Sequence, residues 1–235
     1  MFTIAHKSSH PRAALIKFSV IAQEVSPRSD IARQFITEIF TDSYRAKVDP
    51  RPDAFVICKR NAVNDDSPLA CAGLSFGSAR ERLFSEQYLD DAIETVLARA
   101  SKNSIERAEI VEIGSLASRH TAAAAGLIRV LPIIAWFLGM RVILCTTTAS
   151  LRKLLNYHHI PFISLAEANS ARLQECERES WGSYYDNSPL TGIIPLQECG
   201  HLFGAHCGRF VFANLPSVGA GSGTVSSSIP QEAVA

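Results

Sequence analysis

The stretch IVEIGSLASRHTAAAAGLIRVL, residues 110–131, decides the fold. It opens as a buried strand, turns through Ser118–Thr121, and continues as a helix predicted from about Thr121 to Phe137. Alternation along the strand sets Ile110, Glu112 and Gly114 on one face and Glu109, Val111 and Ile113 on the other. Gly139 stops the helix, and MRVILCTTT (140–148) reads as a second buried strand. A helix joining two such strands is a βαβ crossover, so the strands are predicted to be parallel. Pro132 lies inside the helix and is expected to kink or break it.

Working outward, AFVICKR (54–60) and PLACAGLSFG (68–77) read as a hairpin joined by NAVNDDS (61–67). Before it come a strand-like run FSVIAQEV (18–25) and an amphipathic helix over Ser29–Arg45, with Ile31, Phe35, Ile36, Ile39 and Phe40 at helical spacing. After it, EQYLDDAIETVLARAS (86–101) predicts a second helix with Leu89, Ile93, Val96 and Leu97 on one face. Downstream, ASLRKLLNYH reads as helix, PFISLAEA as strand, 168–180 as a polar helix and WGSYYDNSPLTGIIPL (181–196) as loop and strand. The pattern predicts one α/β domain over residues 1–213, with a core of about 26–168 and a C-terminal extension over 169–213. The Gly/Ser-rich tail, 214–235, is expected to be disordered.

Lys plus Arg and Asp plus Glu number 23 each, which gives no electrostatic footing for nucleic acid or an anionic membrane surface. The most apolar stretch, 127–145, is broken by Arg129, Pro132, Gly139 and Arg141, and falls short of the roughly 20 clean residues a membrane span needs. The N-terminus lacks the apolar run of a signal peptide, and six scattered cysteines read as buried small hydrophobes in a reducing compartment. The expectation is a cytoplasmic protein without a transmembrane span.

Several residues could carry chemistry. Glu112 is a carboxylate in an apolar strand, which is costly to bury unless it is paired or its pKa is raised, and a raised pKa suits a general base. The structural alternative is a salt bridge to Arg80, Arg82 or Arg141. Ser118–Ala124 offers backbone amides that could hold a phosphate, or an ordinary helix start capped by Ser118 or Thr121. Trp181, Tyr184 and Tyr185 could wall a site or simply fill the core. CGHLFGAHC (199–207) holds four potential zinc ligands, but at no recognisable finger spacing, so no metal is expected. His158 and His159 read as a helix end. A Gly-x-Ser-x-Gly elbow is absent, which argues against serine-hydrolase chemistry.

Three blocks, LFSEQYLDDAIE (83–94), IVEIGSLAS (110–118) and WGSYY (181–185), resemble the signatures of the thermostable hemolysin family. YRA (44–46), RVILCTTTASLRKLL (141–155) and LAEA (165–168) extend the resemblance from about residue 30 to 195. The element order of that family is similar to the GNAT acyltransferases and the N-acyl-homoserine lactone synthases. EIGSLA (112–117) resembles the synthases' EISRFA, but has Ser115 where they have Arg.

The resemblance implies a GNAT-like mixed sheet flanked by helices and an acyltransferase of secondary metabolism or signalling. Its donor would be acyl-coenzyme A or an acyl carrier protein, used as co-substrate with no tightly bound cofactor, and its acceptor a small amine. Glu112 and Ser115 would be catalytic, with the 114–117 backbone facing the thioester carbonyl. Leu116, Ala117, Ser118, Arg119, His120 and Thr121 would hold the carrier, although four alanines replace the glycines of the GNAT phosphate loop before Gly126. Glu86, Tyr88, Asp90 and Asp91 would lie beside the acceptor, together with Trp181, Tyr184 and Tyr185; the alternative for the carboxylates is a helix N-terminus, where the macrodipole favours them anyway. The tyrosine with which many GNATs protonate the departing thiolate has no match, since Leu154 and Leu155 occupy its place and Tyr157 follows two residues later. Two rival functions are a membrane-active hemolysin without enzymatic activity and a non-catalytic binding module on the same fold.

Overall fold

A computed structural model describes residues 2–6, 16–22, 27–60, 67–100, 104–206 and 210–213. Nine strands form one mixed sheet: β1 (Phe2–His6), β2 (Ile16–Ala22), β3 (Ala54–Arg60), β4 (Pro68–Phe76), β5 (Ile110–Ser118), β6 (Val142–Thr147), β7 (Ile163–Glu167), β8 (Leu190–Pro195) and β9 (Phe210–Ala213). Their spatial order is β7-β8-β6-β5-β4-β3-β2-β1-β9. Neighbours are antiparallel except β5 and β6, which α3 (Thr121–Phe137) connects as the predicted crossover. The remaining helices are α1 (Pro27–Tyr44), α2 (Ile93–Ala100), α4 (Ala149–Tyr157), α5 (Glu175–Ser180) and α6 (Gly200–His206).

Alternation divides the core between the two faces of the sheet. Val56, Cys58, Val111, Ile113 and Ile143 pack on the side of α3, α4 and α6. Phe55, Ile57, Cys71 and Ala117 pack under α1, which buries Ala32, Phe35, Ile36 and Phe40 against them. Farther along that second face, Ile110, Val142 and Leu144 meet Leu83, Ile93 and Leu97. Glu112 belongs to this face, where its carboxylate lies under the segment that precedes α2.

Several sequence expectations change. The segment 86–101 is not one helix: a 3-10 turn over Phe84–Tyr88 precedes α2, which begins only at Ile93. The cause is Glu86, whose buried carboxylate accepts from the Leu83 amide at 2.6 Å and the Ile93 amide at 3.0 Å. The side chain thereby takes the place of helical backbone acceptors at the start of both elements. The first strand of the 18–25 reading is β2, and residues 23–26 lie outside the described ones. Strand β1 was not expected from the polar opening, and α3 runs through Pro132 unbroken. Strand β8, read as part of the extension, lies inside the sheet between β6 and β7. Residues 61–66 of the hairpin turn, Cys207 and the tail from residue 214 lie outside the described residues. No helix among the described residues is long and apolar enough to cross a membrane.

Arg107 holds Glu86 in place through contacts of 2.8 and 3.1 Å and also reaches Glu94 at 3.1 Å. Burial alone would raise the Glu86 pKa, but Arg107 and the two amides hold it below the usual carboxylate range. The pair therefore contributes stability above that range, and the contribution is lost as pH falls through the lowered folded-state value. Arg107→Met strands a carboxylate that is only 3% exposed and should cost about 3–5 kcal/mol at neutral pH. Urea denaturation should show a smaller loss near the ordinary glutamate pKa, where the orphaned Glu86 can take up a proton.

Candidate functional site

The two parallel strands stay paired only briefly. Ile110, Val111 and Glu112 are in register with Val142, Ile143 and Leu144, and beyond them β5 and β6 part. Strand β6 remains paired with β8 along its whole length, so it leaves with β8. On its other edge β5 carries a bulge: Gly73 faces Gly114 and Cys71 faces Ala117, so Ser115 and Leu116 lie opposite Ala72 alone. The irregular residue is Ser115, a non-glycine with φ 53°, and not its neighbour Gly114. Gly114 instead leaves space, because a Cβ there would meet nothing within 4 Å. The backbone at Ser115 and Leu116 thus leaves the ladder beside the gap, which is the geometry that frees main-chain groups.

A cavity of about 940 Å³ passes through this gap. On the α3 and α4 side its lining is apolar, with Ile128, Leu131, Ile143, Leu151, Leu154 and Ile194. On the opposite side Tyr44, Phe84, Tyr88, Trp181 and Tyr184 face it, with Ser85 and Glu112 near the apex. Ser115, Leu116, Ser118, Arg119, His120 and Thr121 line the stretch toward the start of α3. Ala117 does not join them: it is 1% exposed and packs under α1.

Among the described residues no cation forms a salt bridge with Glu112. Arg80 pairs with Asp53 at 2.9 Å, Arg141 with Glu109 at 3.2 Å, and Arg82 donates to the Glu86 carbonyl at 3.0 Å. The Glu112 carboxylate accepts instead from the Phe84 amide at 2.7 Å, the Ser85 amide at 2.8 Å and the Ser85 hydroxyl at 2.5 Å. Burial raises its pKa, the Ser85 and Phe84 donors oppose the rise, and the nearby Glu86 charge adds to it. Neither Phe84 nor Ser85 was singled out from the sequence, because nothing local links them to a strand some 27 residues later. Ser85 in turn bonds Thr146, which bonds Thr191, each at 2.8 Å.

The acidic segment does not gather around the cavity. Glu86 belongs to the Arg107 pair, while Asp90 meets Arg172 and Asp91 meets Arg99 beside a separate, smaller depression. Tyr88 does reach the cavity, and its hydroxyl bonds that of Tyr185 at 2.5 Å. Burial, then the Tyr185 bond, holds the Tyr88 phenol far above its ordinary pKa, so it is not a base at neutral pH. Trp181 and Tyr184 are packed against Phe40 and Tyr44 at the end of α1. Gly182 makes that possible: it has φ 51°, and a Cβ would stand 2.1 Å from the Tyr44 carbonyl. Ser183 then donates its amide to that same carbonyl at 2.8 Å.

Helix α3 begins at Thr121 without a side-chain cap from its N-cap residue, His120. The Ser118 hydroxyl is turned to the Leu69 and His120 carbonyls, and Arg119 is drawn to Glu38 at 2.7 Å and lies over the Phe35 ring. Neither Ser118 nor Thr121 caps the helix as the structural alternative required, so no side chain of either satisfies its first amides, and His120, Thr121 and Ala124 at that end line the cavity. Tyr157 is 76% exposed, away from the cavity. Cys145 lines the cavity, but burial and then the Glu112 charge push its thiol up to about 12, so it is no thiolate nucleophile. Cys199 is buried and directs its sulfur to the Pro195 carbonyl.

Comparison with curated proteins gives no match. Among solved structures the chain is similar to the acyl-homoserine lactone synthase LasI, at 8% identity and TM-score 0.51 over 78% of this chain and 91% of that one. It is similar to FeeM, an N-acyl amino acid synthase from uncultured soil microbes, at 11% identity and TM-score 0.51 over 79% and 93%. BjaI, a CoA-dependent acyl-homoserine lactone synthase solved with SAM and isopentyl-CoA, gives 11% and 0.51 over 80% and 89%. At such identities the shared property is the fold, a mixed sheet flanked by helices. The thermostable hemolysin family matches residues 22–199 in a single run that takes in the parted strands, the Glu112 clamp and the Trp181–Tyr185 loop, and the chain is a member of that family.

Proposed function

We propose that this protein is an N-acyltransferase that moves an acyl group from an acyl-coenzyme A or acyl-carrier-protein thioester to a small amine. The observation that carries the proposal is the position of Glu112, a buried carboxylate of raised pKa where two parallel strands part around a cavity. Acyl transfer to nitrogen needs a held donor, a polarised carbonyl and a place for the proton that the attacking nitrogen loses. Each requirement has a candidate in the cavity. LasI, FeeM and BjaI are all named for acylated products, which agrees with this chemistry.

The donor enters from the start of α3, where the uncapped amides at Thr121 and beyond can receive a phosphate of the carrier. From Ser118 back to Glu112 the strand covers about 20 Å, so a long flexible arm can place its thioester at the bulge. Amide groups released from the ladder at Ser115 and Leu116 are aimed to polarise the carbonyl. The acyl chain lies among Ile128, Leu131, Leu151 and Leu154, and the amine approaches from the other face between Tyr88, Trp181 and Tyr184. Glu112 takes the proton from the attacking nitrogen. Cys145 is held as a neutral thiol, which favours direct transfer over an acyl-cysteine intermediate.

The first test is release of free thiol from acyl-coenzyme A and acylated carrier protein across a panel of amines. Red-cell lysis by purified protein, with no thiol released from any donor, would establish the membrane-active alternative instead. Glu112→Gln should lower kcat/KM by about 10²–10⁴-fold. Its amide nitrogen would face an N–H donor, so a stability loss of about 1–3 kcal/mol should accompany it.

Because the Glu112 pKa is raised, the ionised base forms only above the usual glutamate range. In wild type kcat/KM should therefore rise with pH through that higher value, and the rise should be missing in Glu112→Gln. Gly114→Val places a side chain in open cavity rather than against protein, so it should abolish turnover while the melting temperature stays within a few degrees of wild type.

A further inference from the structure

Under the proposed acyl transfer, the departing thiolate needs a proton, and α4 carries no tyrosine where many GNATs have one to supply it: Leu154 and Leu155 line the cavity there, and Tyr157 stands in solvent. A different group is in place. Glu112 is the last β5 residue paired with β6, opposite Leu144, so an unbroken ladder would next have set Gly114 opposite Thr146. The strands part there instead, and Thr146 faces the cavity across the gap from the bulge that would hold the thioester.

The hydrogen bonds of Thr146 connect it to Glu112. An ionised carboxylate only accepts, so Ser85 spends its hydroxyl proton on Glu112 at 2.5 Å. Thr146 must then donate to Ser85, and Thr191 to Thr146, each over 2.8 Å. Every hydroxyl in the chain points toward the carboxylate. Once Glu112 is protonated the order can invert, with Glu112 donating to Ser85 and Ser85 to Thr146, which leaves the Thr146 proton free to turn into the gap. Thr191 is fully buried beyond Thr146 and offers no outlet to solvent.

We propose that Ser85 and Thr146 form a proton relay from Glu112 to the sulfur of the leaving group, with Thr146 as the residue that protonates the thiolate. The neutral amine attacks the thioester carbon, and the new C–N bond leaves a surplus proton on nitrogen. That proton passes to Glu112 as the C–S bond breaks. Glu112 hands a proton to Ser85, Ser85 to Thr146 and Thr146 to sulfur, so amide and free thiol leave and all three side chains return to their first state. The atoms balance with no other reactant, and the proton never enters bulk water.

Leaving-group dependence tests the relay. The probes are the N-acetylcysteamine thioester and the 4-nitrothiophenol thioester of octanoic acid, with the best amine of the panel as acceptor. An alkyl thiolate needs the proton to depart, whereas the aryl thiolate is stable without it. Thr146→Val should lower kcat by about 100-fold with the alkyl thioester, with KM little changed. With the aryl thioester it should stay within about threefold of wild type, and Thr146→Ser should restore the alkyl rate. Ser85→Ala interrupts the relay one link earlier; beyond whatever it costs both donors by loosening Glu112, it should show the same selective loss with the alkyl thioester. Equal losses with the two thioesters, or none, would overturn the relay while leaving acyl transfer intact. A wild-type protein inert with both thioesters and with the coenzyme A and carrier-protein donors would overturn acyl transfer and the relay together.

Discussion

The clamp on the Glu112 carboxylate is the contact on which the rest of the site depends. Three donors from two adjacent residues, Phe84 and Ser85, hold a charge that no cation among the described residues neutralises. Those donors are in position only because the turn that carries them is fixed by a second carboxylate, Glu86, tied to Arg107. Two glutamates on one short segment and one strand thus have opposite fates. Glu86 has a cation and is held below the usual pKa range, whereas Glu112 has only dipoles and is pushed above it. By linkage, Glu86 favours the folded state at neutral pH. For Glu112 the sign reverses: its stabilising contribution is present at low pH and is lost as pH rises through the raised value. The fold accepts that cost at one position and offsets it at its neighbour, the pattern that separates a reactive carboxyl from a structural one.

The parting of β5 and β6 has a comparable division of cause. Strand β6 is committed to β8 along its length, and β8 is committed to β7 by the close approach at Gly192, where a Cβ would stand 2.3 Å from the Ile163 carbonyl. Strand β5 is committed to β4 on its other edge, and the bulge at Ser115 turns its end away from β6. Each strand of the parallel pair is therefore held more firmly by its outer neighbour. Pairing between them lasts three residues, long enough to place Glu112 and no longer. The cavity is the space left by that competition.

Much of this frame was legible in the sequence because it rests on local periodicity. Alternation through Val111, Glu112 and Ile113 assigned the correct faces, and the run of elements around α3 implied the parallel pair. The partners of Glu112 were not legible. Arginines 80, 82 and 141 were reasonable candidates by charge, but charge says nothing of distance, and the actual donors are two backbone amides and a serine. Ser115 was hidden for a related reason: a left-handed φ is expected of glycine, and here it falls on the serine beside Gly114. Over 86–101 the helical spacing of Leu89, Ile93, Val96 and Leu97 was real, but it could not reveal that Glu86 would replace the backbone acceptors before Ile93.

The alanine run after His120 takes a different meaning once the packing of α3 is considered. A glycine in a phosphate loop serves to let main chain approach the anion closely. Gly126, the first glycine after the run, does not serve this purpose, since a Cβ there would meet the Phe18 ring at 3.4 Å on the sheet side. Ala123 is buried against the same core, while Thr121 and Ala122 are exposed. The small residues are thus divided by face: some let the helix settle onto the sheet, and others keep its uncapped start unobstructed. The closeness of α3 to β4 and β5 is what brings that start to the end of the gap, so one run of small side chains serves both the packing of the crossover and access to the cavity.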